Sequence, residues 1–126
     1  MILKLNTEIF MIYQRNPEIQ AAYDEYKIKL AGRCPFCLLN PEVNKIIEEN
    51  SKWLVMLNAF PYENIKTHLL FCLKSHVEDI CDGRDWMSLY PLLKKYSSQY
   101  PEAEVTFKLP ENKLKSVAHF HVHLID

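Results

Sequence analysis

The sequence predicts an α+β fold: an antiparallel sheet with helices packed on one side and an additional N-terminal helix. Two observations lead there. Two amphipathic helical stretches are separated and followed by short runs of strand character, an order that suits an antiparallel sheet better than repeated βαβ units. The chain also ends on Ser116-Val117-Ala118-His119-Phe120-His121-Val122-His123-Leu124-Ile125, where histidine alternates with apolar residues in the period of a strand.

The elements follow in order. Asn16-Pro17-Glu18 reads as an N-cap, a first-turn proline and an acidic first turn. From Pro17 to Ala31, Ile19, Ala22, Tyr23, Tyr26 and Leu30 recur at helical spacing, and Gly32 stops the helix. Cys34-Pro35-Phe36-Cys37 forms a knuckle next. Asn44 to Glu48 fits either a short strand or a helical turn, and Asn50-Ser51 can turn it into a strand from Trp53 to Leu57. A loop over Asn58 to Asn64 leads to an apolar strand from Thr67 to Leu73, and a short helical piece is expected around Val77 to Ile80. Arg84 to Tyr100 carries Trp86, Leu89, Tyr90, Leu93 and Tyr96 on one helical stripe, with a kink expected at Pro91. Glu104 to Leu109 alternates as a strand, and the histidine strand closes the domain.

Composition narrows the function classes. At 126 residues the chain is one globular domain, able to bury roughly two thirds of its unfolded surface. A net charge of −1 argues against a general polyanion binder, so a long nucleic acid is not expected as partner. No apolar run approaches the ~18 residues of a membrane span. Charge interrupts the first residues too early for a secretory signal, so a cytoplasmic location is expected, with the four cysteines as thiols or metal ligands. Only two glycines are present, which excludes a glycine-rich phosphate loop.

Two patterns carry chemistry. On a strand His119, His121 and His123 share one face and Phe120, Val122 and Leu124 the other. The outer two imidazoles then lie about 13 Å apart, at about 3.3 Å per residue. Zinc–nitrogen bonds are only about 2.0 Å, so both cannot grip one ion. The row suits successive contacts with one extended ligand. Cys34-x-x-Cys37 is half of a tetrahedral metal site. Cys72 and Cys81 lie singly in apolar stretches, so the missing ligands are sought among histidines: His76 and one end of the triple row. Lys108, Lys113 and Lys115 cluster just ahead of that row.

These residues together resemble the histidine-triad (HIT) family of nucleotide hydrolases and transferases. The closing segment Ser116 to Ile125 resembles the triad signature. Thr67-His68-Leu69-Leu70-Phe71-Cys72-Leu73-Lys74-Ser75-His76 resembles the family's strand of form (G/T)-H-x-L-x-x-P-K-x-H. Asn58-Ala59-Phe60-Pro61-Tyr62 is similar to the loop after its second strand, and Cys34-Pro35-Phe36-Cys37 is similar to its zinc-containing bacterial members. The matches come in family order from Cys34 to Ile125, leaving residues 1–33 as an N-terminal helical extension to a HIT-like domain over residues 34–126.

The resemblance implies a HIT-like sheet and a nucleotide hydrolase or nucleotidyl transferase acting at the α-phosphate of a nucleoside phosphoramidate or dinucleoside polyphosphate. His121 would be the nucleophile that forms a nucleotidyl-histidine intermediate, a task imidazole performs well because it is neutral and nucleophilic near pH 7. His123 would fix its tautomer, His68 would support the triad from the neighbouring strand, and Ser116 would hydrogen-bond the phosphate. Asn58, Lys108 and Lys115 would bind substrate, the lysines as point charges for phosphate. Cys34, Cys37, His76 and His119 would hold a structural zinc. A homodimer is also implied. Two other readings are an aprataxin-like nucleic-acid end-processing enzyme and a non-catalytic, zinc-stabilised nucleotide-binding module.

Overall fold

The computed structural model describes residues 13–79 and 82–126 with their side chains, and the backbone of residues 2–5 and 8–11. The latter form β1 (Ile2–Leu5) and β2 (Glu8–Met11), a two-stranded antiparallel ladder of their own. The first thirty residues therefore hold strands as well as the expected helix.

That helix, α1 (Pro17–Leu30), starts where its cap residues place it. The Asn16 side-chain oxygen accepts from the Ile19 N–H at 2.8 Å, and Pro17 occupies the first turn. Its end differs slightly from expectation. Ala31 is the residue in the left-handed region (φ 53°), followed by Gly32 at φ 83°.

The main sheet has the order β3-β4-β5-β7-β6, antiparallel throughout. The ambiguous segment is a strand, β3 (Lys45–Glu49), and it turns into β4 (Trp53–Leu57) through Asn50. The Asn50 side chain accepts from the Lys52 and Trp53 N–H groups at 2.9 and 2.7 Å, closing an Asx turn. β5 (His68–Leu73) is buried along its whole length, as a central strand covered on both faces must be. β6 (Glu104–Thr106) and β7 (His121–Ile125) complete the sheet.

Alternation along the strands divides the core in two. Trp53, Val55, Phe71, Val122 and Leu124 face α2 (Gly83–Gln99), which buries Leu89, Leu92 and Tyr96 against them. Leu54, Met56, Leu70 and Cys72 point to the other face, where Phe36 and Leu39 pack. α2 thus covers one side of the sheet as expected, and α1 faces the other across a cavity. Asp82 caps α2 by accepting from the Arg84 N–H at 2.9 Å. The helix continues past Pro91, which lies on the solvent side.

Three expectations need correction. Residues 77–79 are not helical, and Ile80 lies outside the described residues. Instead the Val77 carbonyl accepts from the Phe120 N–H at 2.6 Å. β6 stops at Thr106 rather than Leu109, because Phe107 packs with Trp86 and Phe120 at 5.4 and 5.6 Å between centroids. Finally, the histidine strand begins only at His121. His119 lies in the lead-in, not on the same strand face as the other two.

Candidate active site and metal centre

β7 is built so that its core-facing residues are apolar, which leaves His121 and His123 on the face opposite α2. There they line a cavity of about 330 Å³ roofed by α1 and the loop after β4. That volume lies within the range of small-molecule sites.

Hydrogen bonds decide where each imidazole keeps its proton. His121 Nδ1 lies 2.8 Å from the His119 carbonyl oxygen. A carbonyl only accepts, so Nδ1 carries the hydrogen and Nε2 keeps its lone pair. Burial lowers the His121 pKa to about 4, with the charges of Lys115 and Lys108 acting in the same direction against the carbonyl bond. At neutral pH this ring is therefore uncharged with a free nitrogen on the cavity side.

The neighbouring pair is ordered in the same way. The Tyr62 backbone N–H donates to His68 Nδ1 at 3.4 Å, so His68 Nε2 carries its hydrogen and donates to His123 Nδ1 at 2.8 Å. His123 is left with its own hydrogen on Nε2. His68 is 4% exposed, and burial pushes its pKa down to about 3, helped by the charges of Arg15 and Lys108. His123 is lowered well below the usual value, chiefly by burial. The His121 and His123 rings stand 4.9 Å apart, edge to face.

The other expected residues are also here, with one difference of role. Ser116 lies on the cavity wall, its hydroxyl accepting from the Tyr23 hydroxyl at 3.0 Å. Lys108 and Lys115 line the cavity. Lys108 is lowered by burial and by the charge of Arg15, whereas Lys115 donates to the Glu78 carbonyl at 3.0 Å. Asn58 lines the cavity too, but its polar ends are already engaged. Its oxygen accepts from the Phe60 N–H at 2.9 Å, and its nitrogen lies against the His68 ring, 3.3 Å from Nδ1 and 3.2 Å from Nε2. In this structure it steadies the loop and His68.

Sequence reasoning missed Arg15, Tyr23, Phe36 and Tyr62. Tyr23 was read only as a helix core residue, yet its hydroxyl reaches Ser116. Tyr62 packs on His68 and His123 at 4.6 and 5.8 Å between centroids. Phe36, between the two cysteines of the knuckle, packs edge-on against His121 at 5.1 Å.

The second cluster adjoins the first. Cys34, Cys37, His76 and His119 bring one ligand atom each to within 4.8 Å of one another. Cys34 Sγ and Cys37 Sγ each lie 3.5 Å from His119 Nδ1, and Cys37 Sγ lies 3.2 Å from His76 Nδ1. Tetrahedral zinc with its usual bond lengths would space sulfur and nitrogen ligands about 3.5 Å apart. The tautomer also fits. His119 Nε2 donates to the Leu73 carbonyl at 2.6 Å, which leaves Nδ1 bare toward the thiols, the arrangement expected of a metal-binding histidine. The cluster can hold a metal ion.

No protein-family profile matches the chain, and no curated protein does. Solved structures do. A histidine triad protein from Clostridium difficile superposes with a TM-score of 0.62 at 18% identity, covering 75% of this chain and 91% of that one. A HIT family hydrolase from Clostridium thermocellum gives 0.60 at 16% identity, covering 74% and 89%. Another from Legionella pneumophila gives 0.59 at 22%, covering 75% and 92%. The chain has the fold of the histidine-triad proteins.

Proposed function

We propose that the chain is a nucleotide hydrolase or nucleotidyl transferase that attacks the α-phosphorus of its substrate with His121. The observation that carries this reading is the His121 tautomer. A neutral imidazole with Nδ1–H bound to a backbone carbonyl presents Nε2 to a cavity that also holds cationic side chains. In the first step the Nε2–phosphorus bond forms and the bond to the leaving group breaks. The leaving atom takes the electron pair; a phosphate departs as an anion, and an amine takes a proton from solvent. In the second step water attacks phosphorus and the electron pair returns to Nε2, or another acceptor replaces water and the reaction is a transfer.

The surrounding groups have definite tasks in this scheme. His123 Nε2–H and the Ser116 hydroxyl donate to phosphate oxygens as charge builds on them, a contribution typically worth several kcal/mol. His68 holds the His123 tautomer. Tyrosine and phenylalanine rings on the cavity wall supply a stacking surface for a base.

The Cys34, Cys37, His76 and His119 cluster holds zinc in this reading. Four protein ligands leave no open position, so its role is structural. Bound there, it would fix the position of His119 and thereby the lead-in to β7. Among the described residues no helix is long and apolar enough to cross a membrane.

The test is mass spectrometry of intact protein after brief incubation with adenosine phosphoramidate, guanosine phosphoramidate and a dinucleoside polyphosphate. The expected result is a gain of one nucleotide mass on the wild-type chain and none on His121→Ala. No adduct and no nucleotide release with any of the three would overturn the reading.

A further inference from the structure

We propose that Arg15 and Lys108 form a second phosphate subsite beside His121, so that the preferred substrate carries a chain of at least two phosphoryl groups. The inference rests on the nucleotide reading above and narrows its substrate class.

The first observation is charge without compensation. Arg15 and Lys108 are both partly buried and both line the cavity of His121 and His123. Neither takes part in any ion pair with a carboxylate among the described residues. The two cations are close enough that the charge of Arg15 lowers the Lys108 pKa, along with burial. The same charge is felt at His68 and His123. Gathering like charges in a half-desolvated cavity is unfavourable unless an anion joins them.

The second observation is preorganisation. Arg15 is held in place before any ligand arrives: its Nε donates to the Phe60 carbonyl at 2.7 Å. Its guanidinium lies 4.1 Å over the Tyr23 ring and 5.5 Å from that of Tyr62. The segment carrying it is pinned to the loop after β4, where the Glu63 N–H donates to the Gln14 carbonyl at 2.9 Å. Among the described residues only Nε is spent, so the two terminal nitrogens remain as a planar fork of the kind that binds phosphate in bidentate fashion.

The third observation is that both cations come from outside the strand that carries the reacting histidines. The α-phosphate has His121, His123 and Ser116 on β7 and its lead-in. Arg15 comes from the N-terminal extension and Lys108 from the stretch after β6. Both approach from chain segments that carry none of the reacting groups. A nucleoside phosphoramidate has one phosphoryl group and would leave these cations without an anion to meet. A dinucleoside polyphosphate or nucleoside polyphosphate would satisfy them with its leaving group.

Two measurements on the full chain test this. The first is calorimetric titration of inorganic tripolyphosphate into wild type, Arg15→Gln, Arg15→Lys and Lys108→Gln, with unchanged circular dichroism as the folding control. We expect binding to wild type, weakened about tenfold to a hundredfold in Arg15→Gln and Lys108→Gln. Arg15→Lys should fall between, since it keeps the charge and loses the fork. No binding to wild type, or wild-type affinity in both Gln variants, overturns the subsite whether or not the chain proves to be a nucleotide enzyme. The second compares kcat/KM for a dinucleoside tetraphosphate and a nucleoside phosphoramidate. The Gln variants should lose about tenfold or more on the first and less than about threefold on the second. Equal losses on both would also overturn the subsite while leaving the role of His121 intact.

Discussion

His68 makes the fold sensitive to acid in a way that can be measured at a single residue. It is almost fully buried, and that burial takes its pKa down to about 3. In the unfolded chain a histidine titrates near 6.5. The unfolded state therefore binds the proton first as pH falls. The stability contributed by neutral, buried His68 is fully present above about pH 6.5 and is lost as pH falls from there toward about 3. Each fully differing proton changes stability by about 1.4 kcal/mol per pH unit, so one such histidine removes about 2 kcal/mol between pH 7 and pH 5. His123 is shifted in the same direction by the same cause. Even the single histidine's share is a sizeable part of the roughly 5–15 kcal/mol that holds a domain together. The assay is urea unfolding at pH 7, 6 and 5, followed by fluorescence of the buried Trp53. His68→Asn is expected to be less stable at pH 7, yet its loss from pH 7 to pH 5 should be smaller than the wild-type loss by about 2 kcal/mol. Acid release of any bound metal affects both proteins and cancels in that difference. An identical pH dependence in both would refute the argument that His68 is held neutral by burial.

Three further outcomes are expected. Purified wild-type protein should carry close to one zinc per chain, and Cys34→Ser should lose most of it; undiminished zinc by metal analysis would sink the ligand assignment. His121→Ala should abolish nucleotide release while leaving zinc content unchanged and the chain folded, because its ring is not a ligand. The chain should self-associate through the long helix or the sheet edge, where Met87, Tyr90 and Val105 are exposed. Equilibrium sedimentation showing only monomer at micromolar concentration would count decisively against that.

Much of the fold was legible because it rests on local patterns. The Asn16 and Asp82 caps, the apolar runs of β4 and β5, the alternation in β7 and the turn at Asn50 all act within a few residues. The metal cluster was legible in part, since the spacing of Cys34 and Cys37 announces a shared ligand. What stayed hidden depends on contacts between distant segments. Tyr23 meets Ser116 across 93 residues, and Arg15 meets Phe60 across 45, so no window of sequence displays either pairing. The early end of β6 has the same origin. An alternating run predicts a strand through Leu109, but the Trp86 and Phe120 rings draw Phe107 into their own cluster. Alternation also misplaced His119, because a strand period says nothing about where pairing begins. Phe120 gives its N–H to Val77 instead of to β5, and the ladder starts one residue later.

That displacement of His119 is what allows the two clusters to work as one. On the strand face its ring would have stood beside His121, facing the same cavity. Off the strand, its Nδ1 faces Cys34 and Cys37 while Nε2 is anchored to the Leu73 carbonyl at the end of β5. Its own carbonyl oxygen then accepts the Nδ1–H of His121. One residue thus links the ligand cluster, the central strand and the nucleophile's tautomer. Phe36 makes a second link, since it sits between the two cysteines and packs on both His119 and His121. An ion bound by the four ligands would act on His121 through these links alone, without touching the cavity. Loss of a cysteine ligand should then loosen the orientation of His121 before it unfolds the sheet, whose core of Trp53, Phe71 and Phe120 lies on the far face.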